Sequence, residues 1–238
     1  MIIDSHCHAG KGDGLTGPWD TAAPLDKYLV RAARAGITHT VLFAAFHSDY
    51  AVANREVARI VSSHPDRFFG LAFVNAVNDR GRVQRLVRQA VEEFSFVGIK
   101  LHRYDAPINR EICEVARAFS LPVLYDVMGA VSVCELLAEE YPDVNFIIPH
   151  LGSFADDWRA QIALIDHLVR HSNIYTDTAG VRRFDIYWYR PFSVLARERS
   201  YSAPTDRGCI QGSNWRRCGH WGYRKATRLW SLAAIFYA

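Results

Sequence analysis

The sequence feature that most constrains the fold is a regular alternation of short β-rich segments with amphipathic helical segments, from residue 1 to about residue 180. Strands are predicted at Ile2–His6, Thr40–Ala44, Phe69–Phe73, Val97–His102, Pro122–Asp126, Asn145–His150 and Asn173–Thr178. Helices, with apolar residues at i, i+3, i+4 and i+7, are predicted at 25–33, 83–91, 111–119, 131–140 and 156–170. This alternation is typical of βα units that build a parallel sheet.

Seven βα repeats predict an α/β protein of the (β/α)8 TIM-barrel class in which the eighth βα unit is disrupted or missing. A doubly wound parallel sheet is the alternative fold, but it normally has a glycine-rich phosphate loop between its first strand and first helix. The glycines after the first strand, Gly10, Gly12 and Gly14, lie in a polar stretch with no helical pattern directly after it. We therefore expect a barrel with a flexible loop after its first strand.

The composition fits one globular domain over residues 1–238, with 50% hydrophobic and 22% charged residues. No apolar run is long enough to span a membrane, and Asp4 and His6 argue against a signal peptide, so a cytoplasmic location is predicted. The five cysteines have no CxxC spacing and indicate reduced thiols. The expected partner is a small-molecule substrate; neither a membrane nor a nucleic acid is expected, and a homo-oligomer is left open.

Ionisable side chains lie at the ends of the predicted strands. Successive strand residues alternate between two faces, so His6 and His8 share one face of the first strand, and Lys100 and His102 share one face of the fourth. Applied to every strand, the alternation predicts an inward-facing ring of His6, His8, Lys100, His102, Asp126, His150 and Asp177. Two of these residues have a second interpretation: His102 as a substrate-positioning residue, and Asp177 as a cap of the loop after the seventh strand.

The residue types in this ring indicate a metal site. Imidazole nitrogens and carboxylate oxygens suit Zn²⁺, with Mn²⁺ and Fe²⁺ as alternatives, and a catalytic site keeps one coordination position open for water. A bound divalent ion lowers the pKa of water toward about 7 and polarises a carbonyl group. A nearby histidine or carboxylate then moves the proton. His6 and His8 carry this prediction, because two imidazoles at i and i+2 on a first strand have no packing function.

Five motifs resemble those of the amidohydrolase superfamily, in particular its amidohydrolase-related (amidohydrolase 2) branch, which also contains aminocarboxymuconate-semialdehyde decarboxylase. They are Asp4-Ser5-His6-Cys7-His8, Gly98-Ile99-Lys100-Leu101-His102, Pro122-Val123-Leu124-Tyr125-Asp126, His150-Leu151-Gly152 and Asn173-Ile174-Tyr175-Thr176-Asp177-Thr178. The first motif alone is not specific, since TatD-like nucleases and PHP phosphoesterases share His-x-His. The combination of motifs identifies the branch.

The ring and the resemblance together imply roles for its members. The metal ligands are His6, His8, Asp126 and His150; the catalytic residues are His150, Asp177 and Lys100; the substrate-binding residues are His102 and Lys100. His150 is implied to polarise the substrate or to move protons. Asp126 stands where family members usually have a histidine ligand, which alters the charge of the site. Strand-4 lysines are carboxylated and bridge two metals in some relatives, but we favour binding of an anionic substrate by Lys100.

The implied activity is that of a metal-dependent hydrolase in which metal-bound hydroxide attacks a small ester, lactone or amide. A nonoxidative decarboxylase of a small carboxylic acid is an alternative on the same scaffold. A catalytically impaired remnant, or a binding module, is the alternative outside enzyme catalysis.

The segment from residue 187 to residue 238 departs from the family pattern. It has nine Lys/Arg against two Asp/Glu, and it contains four of the six tryptophans. The resemblance implies a Gly-Ser-Asp segment at strand 8, whose aspartate binds metal and acts as general base. Back-translating the tail and reading from the third base of each codon permits a peptide with an amphipathic helix followed by Gly-Ser-Asp. We therefore interpret the tail as the result of a frameshift near Ile186. The alternative interpretation is a basic aromatic tail that binds nucleic acid.

Overall fold

The structure is a computed structural model that describes residues 2–13, 25–153, 157–177 and 179. Seven strands and six α-helices alternate in these ranges. The strands are β1 (Ile2–Ala9), β2 (Ile37–Ala44), β3 (Phe68–Phe73), β4 (Gly98–His102), β5 (Val123–Asp126), β6 (Phe146–Ile148) and β7 (Ile174–Thr176). The helices are α1 (Leu25–Arg34), α2 (Tyr50–Ser63), α3 (Val83–Glu92), α4 (Arg110–Ala118), α5 (Val133–Glu140) and α6 (Trp158–Arg170). The predicted loss of an eighth βα unit and the frameshift concern residues outside the described ranges.

All seven predicted strands are confirmed, and the five predicted helices correspond to α1, α3, α4, α5 and α6. The first helix, α1, ends at Arg34, and Gly36 lies in the turn that follows it. Gly36 has a φ of 72°, and its N–H donates to the carbonyl oxygen of Ala33 at 3.1 Å. A glycine adopts this left-handed conformation at little cost, which is why it ends the helix here.

The sequence did not predict α2. Its start is well marked, since Asp49 caps it by accepting a hydrogen bond from the N–H of Ala51 at 2.8 Å. The apolar pattern of α2 is interrupted, because the polar residue Asn54 lies in the middle of the buried face of the helix. The Asn54 amide exchanges two hydrogen bonds with the backbone of Phe73, at 2.8 and 2.9 Å, and so fastens α2 to the end of β3.

The strands form one parallel sheet in sequential order, from β1 to β7. In a flat sheet the outermost strands would be separated by six spacings, or about 29 Å. Instead, Nδ1 of His6 on β1 lies 3.1 Å from a carboxylate oxygen of Asp177, directly after β7. The sheet is therefore curled, with helices on its convex side, and the described part is a partial (β/α)8 TIM barrel.

The core has two layers. Most buried apolar residues lie between the strands and the surrounding helices. A smaller cluster fills the inside of the curl and consists of Ile3, Val41, Phe43, Leu71 and Leu124. This inner cluster forms the floor beneath the carboxyl ends of the strands, where barrels of this class hold their sites.

Two further sequence-based expectations concern the described residues. Cys7, Cys113 and Cys134 are free cysteines. Within the ranges that the structure describes, no helix combines the length and the apolar character needed to cross a membrane.

Candidate metal centre

A β-bulge in β1 sets the direction of the first two histidines. Asp4 lies opposite Thr40 on β2, and Cys7 lies opposite Leu42, so β1 has one more residue than β2 over this interval. Strict alternation from Ile3, an inner-cluster residue, would have turned His6 outward. The bulge shifts the alternation, and the His6 ring lies 4.9 Å from the ring of Phe43 on the inside of the curl.

His6, Asp177 and His150 form a buried cluster at the carboxyl ends of β1, β7 and β6. The His6 and His150 ring centroids are 4.6 Å apart. One potential ligand atom from each of the three residues lies within 4.8 Å of the other two. Ligand atoms around a tetrahedral zinc ion are roughly 3.5 Å apart, given bond lengths near 2.1 Å. These residues therefore fit a divalent ion with only small movements of their side chains.

Asp177 uses both carboxylate oxygens. Oδ2 faces Nδ1 of His6, while Oδ1 accepts hydrogen bonds from the backbone N–H groups of His150 and Ala179, each at 3.0 Å. Burial alone would raise the pKa of Asp177, but the contacts with His6 and His150 hold it well below its usual range. An ionised Asp177 thus caps the loop after β7 and also orients His6. Its contacts are those of a loop cap and of an inward-facing ring residue, the two interpretations from the sequence.

His150 is aimed into the cluster by an uncommon turn. His150 and Leu151 have positive φ angles of 58° and 53°, and Gly152 follows with 89°. A Cβ atom on Gly152 would lie 2.6 Å from a methyl carbon of Val131, so only glycine fits here. Positive φ in a residue with a side chain costs of order 1–3 kcal/mol and is concentrated at functional sites. The strain supports a functional reason for holding His150 in this orientation.

His8 is oriented by its own backbone contact. Its Nδ1 lies 2.8 Å from the carbonyl oxygen of Ala44, and because a carbonyl can only accept, Nδ1 carries the proton. Nε2 of His8 therefore keeps its lone pair, as a metal ligand requires. Burial lowers the pKa of His8 well below its ordinary value and that of His6 to about 4. Both imidazoles are neutral near pH 7, which is the ligating form.

Asp126 bridges two other histidines of the ring. Its Oδ2 lies 3.1 Å from Nε2 of His102 and 3.2 Å from Nε2 of His150, and its Oδ1 accepts from the N–H of Met128. Nδ1 of His102 accepts the N–H of Tyr104 at 3.0 Å, so the proton of His102 is on Nε2, facing Asp126. Although burial raises the pKa of Asp126, these hydrogen bonds hold it well below its usual range.

His150 is the one histidine of the ring with a raised pKa. Burial lowers the pKa, but the hydrogen bond to Asp126 and the charges of Asp177 and Asp126 outweigh that effect. Its Nδ1 donates to the carbonyl oxygen of Ala179, which leaves Nε2 toward Asp126. His150 is therefore the ring member best able to hold a second proton.

Lys100, on β4, has no exposed surface. Its Nζ has no hydrogen-bond partner among the described residues and lies 4.9 Å from the centre of the Phe43 ring. Burial lowers the pKa of Lys100 to about 8, against the attraction of Asp126 and Asp177. An ammonium group in this position has unused donors for an anionic group of a ligand.

The structure thus brings all seven predicted ring residues to one end of the sheet, and it adds residues that the sequence did not single out. Asp4 is buried and accepts from the N–H of His6 at 3.2 Å and from the hydroxyl of Tyr28 at 3.0 Å. Asp4 stands in the first motif, two residues before His6, which was the available signal. Phe46 and Tyr104 lie beside His102, with the Phe46 ring 4.8 Å from the His102 ring. No spacing in the sequence pointed to that aromatic pair.

Comparison with solved structures gives many similar folds, among them the following three. A probable 2-pyrone-4,6-dicarboxylic acid hydrolase from Acinetobacter baumannii, with citric acid bound, is 16% identical over 84% of this chain and 80% of that chain, with a TM-score of 0.59. The 5-carboxyvanillate decarboxylase from Sphingomonas paucimobilis is 15% identical over 71% of this chain and 68% of that chain, with a TM-score of 0.54. The 4-oxalomesaconate hydratase from Rhodopseudomonas palustris is 19% identical over 75% of this chain and 74% of that chain, with a TM-score of 0.52. Identities this low show the fold, and the three reactions differ.

A search of curated proteins finds no match. The family model for amidohydrolases matches residues 3–206, well over half of the 238 residues. This range contains every residue of the ring, and it continues past Thr178, where the last of the five motifs ends, and past Ile186. Family members generally bind a divalent metal, and the cluster of His6, Asp177 and His150 offers the ligand atoms for one. On this match over most of its length, the chain belongs to the amidohydrolase family.

Proposed function

We propose that this chain is a metal-dependent hydrolase that acts on a small carboxylated ester, lactone or amide, with Zn²⁺ as its ion and Mn²⁺ or Fe²⁺ as alternatives. The observation that carries the proposal is the buried group of two imidazoles and a carboxylate with ligand atoms within 4.8 Å. His8, with Nε2 available, and Asp126, which contacts His150, complete the proposed ligand set. When bound there, a divalent ion supplies Lewis acidity that polarises the scissile carbonyl and acidifies water.

The proton steps fall to His150. In hydrolysis, water adds to the carbonyl carbon, the bond to the leaving oxygen or nitrogen breaks, and one proton must reach the leaving group. The raised pKa of His150 supports its role as the group that holds and returns this proton. A protonated imidazole has no lone pair for a metal ion, so while His150 holds the proton the ion would rest on His6, His8 and Asp177. Asp126 stabilises the protonated imidazole through Nε2, and the carbonyl of Ala179 fixes the opposite edge of the ring.

Substrate recognition is assigned to Lys100 and His102. The Lys100 ammonium has unused donors in a fully buried position, which supports pairing with a substrate carboxylate. His102 lies next to Phe46 and Tyr104, of which Tyr104 is 64% exposed. This arrangement supports a mouth at which His102 positions a planar substrate. The proposed partner is therefore a small anionic molecule.

The test is turnover in ¹⁸O-labelled water by the full chain reconstituted with Zn²⁺, using carboxylated lactones and esters and their uncharged analogues. We expect one ¹⁸O atom in the product carboxylate. Lys100→Met should lower kcat/KM for the carboxylated substrate by roughly tenfold to a hundredfold, since a hydrogen bond to a charged group contributes about 1.5–3 kcal/mol. The uncharged analogue should lose much less. Lys27→Met, which changes an exposed lysine, is the matched control and should leave both values unchanged.

A second candidate is a nonoxidative decarboxylase of a small carboxylic acid, and the fold similarity to 5-carboxyvanillate decarboxylase favours it. In that reaction the bond to the departing carboxyl carbon breaks, CO₂ leaves, and a proton from His150 replaces it. Release of CO₂ without ¹⁸O uptake would establish this reaction and refute hydrolysis. A chain that binds no stoichiometric metal after reconstitution, and turns over neither substrate class, would refute both and favour a catalytically impaired remnant.

A further inference from the structure

Three potential metal ligands also lie together outside the barrel, between α5 and α6. Glu135 lies in the first turn of α5, His167 in the last turn of α6, and His171 directly after α6. The two histidines are four residues apart, the spacing that places side chains on one helix face. One ligand atom from each of the three residues lies within 4.8 Å of the others. Nothing in the proposed reaction uses these residues.

The geometry of this group is that of a carboxylate held between two imidazoles. Oε2 of Glu135 lies 3.2 Å from Nδ1 of His167, and Oε1 lies 3.5 Å from Nε2 of His171. The two rings are stacked, with centroids 6.1 Å apart and planes inclined by 23°. The histidine side chains are only 10% and 14% exposed, whereas that of Glu135 is 36% exposed. The group is thus shielded on the helix side and open to water on the other.

The protonation states also suit a cation. Burial and the neighbouring charge of Arg170 lower the pKa of His167, so its imidazole is neutral near pH 7. The hydrogen bond from Arg170 lowers the pKa of Glu135, so its carboxylate is ionised. Two imidazoles and one carboxylate form the three-ligand set that leaves the fourth zinc position to water.

Arg170 would compete with a metal ion for the space between Glu135 and His167. Its guanidinium donates to Oε1 of Glu135 and lies 3.2 Å from Nδ1 of His167. The Arg170 side chain is 49% exposed, so it can turn into water when a cation takes its place. In the metal-free protein Arg170 therefore supplies the positive charge that the group attracts.

We propose that Glu135, His167 and His171 form a second, peripheral site for a divalent transition-metal ion such as Zn²⁺, which clasps α5 to α6 and which Arg170 occupies with its guanidinium when metal is absent. The site is independent of the central ring and of the proposed reaction. Its role is to link two neighbouring helices on the outside of the sheet, next to β6 and β7.

The test is equilibrium dialysis of the full chain against buffered free Zn²⁺, with bound zinc counted by atomic emission. Glu135→Gln and His171→Gln should each remove one equivalent from the zinc bound by the wild type, or raise its Kd by more than about tenfold, since even outer contacts of metal ligands contribute tenfold or more. Arg170→Gln should lower the Kd of the same equivalent severalfold. His64→Gln changes another surface histidine and is the matched control.

Each result decides the proposal. A salt-bridge cluster with no metal function predicts that Arg170→Gln leaves zinc binding unchanged, which would overturn it. Equal zinc binding by the wild type, Glu135→Gln and His171→Gln would overturn it as well. Circular dichroism melts without metal show whether each variant folds. If one does not, zinc-dependent shifts of the His167 and His171 ring ¹⁵N resonances in the wild type answer the same question, and their absence refutes the site.

Discussion

The buried ammonium of Lys100 is expected to lower the free energy of unfolding, and replacing Lys100 by an uncharged residue should raise it. Lys100 has no exposed surface, and its Nζ has no hydrogen-bond partner in the part of the chain that the structure describes. Burial lowers its pKa from 10.5 to about 8. A fall of this size corresponds to about 3 kcal/mol in the free energy of unfolding, because each pKa unit is about 1.36 kcal/mol.

The sign follows from proton linkage. The unfolded chain holds the Lys100 proton up to a pH near 10.5, whereas the folded chain releases it near 8. The cost of burying the charged form is therefore complete below about pH 8 and disappears as the pH rises past 10.5. Lys100→Met keeps the length and apolar stem of the side chain without the charge. It should raise the free energy of unfolding at pH 7 by about 3 kcal/mol.

The assay is urea unfolding, with thermal melts beside it, of chelator-treated protein at pH 7 and at pH 10.5, for the wild type, Lys100→Met and Lys27→Met. The first variant should be more stable at pH 7, with a Tm higher by about 6–12 °C, and the gap should narrow at pH 10.5. Lys27 is exposed, so its variant should match the wild type at both values. If Lys100→Met were less stable at pH 7, or if the gap did not depend on pH, the ammonium would have a stabilising partner and the reasoning would be wrong.

Three further predictions concern single contacts. Asp126→Asn should lower the pKa of His150 in the metal-free protein, because it removes the carboxylate that raises this pKa; the His150 ring proton shift against pH measures it. Burial raises the pKa of Asp4 to about 6, so the folded chain keeps a proton that the unfolded chain releases; the wild type should therefore lose about 3 kcal/mol relative to Asp4→Asn as the pH rises from 4 to 6. Gly70→Ala should cost about 1–3 kcal/mol in urea unfolding, because its Cβ would lie 2.2 Å from the Phe96 ring.

Each of these has a contradicting outcome. An unchanged His150 titration in Asp126→Asn would mean that the raised pKa has another origin. Equal pH dependence of the wild type and Asp4→Asn would mean that Asp4 is solvated in the folded chain. A fully stable Gly70→Ala would mean that the Phe96 ring moves aside without loss of packing.

The strands and most helices could be predicted because their patterns are local. Each strand is an apolar run, so the sequence predicted all seven with ends within three residues of those observed. The helix α2 was not predicted because Asn54 lies on its buried face. The Asn54 amide is needed there to hydrogen-bond the backbone of Phe73, nineteen residues away. Contacts between distant segments of this kind leave no periodic signal.

The residues of the central site could be predicted, but their connections could not. Alternation along the first strand correctly placed His6 and His8 on one face. His6 faces inward, however, because of a β-bulge that no residue type in β1 indicates. The tautomer of His8 depends on the carbonyl of Ala44, a backbone atom on the next strand. The group between α5 and α6 was not predicted either, because helix packing brings Glu135 to the end of the other helix.

The carboxylate of Asp126 and the buried ammonium of Lys100 make sense as one unit. The family resemblance implies a histidine at this strand-5 position. A neutral histidine would bring no negative charge, and the Lys100 ammonium would then face one carboxylate fewer. Attraction to Asp126 is the largest effect that opposes the fall in the pKa of Lys100, and attraction to Lys100 also helps to keep the Asp126 carboxylate ionised. Asp126 therefore helps to preserve a charged lysine near pH 7, and the proposed recognition of an anionic substrate requires a charged lysine.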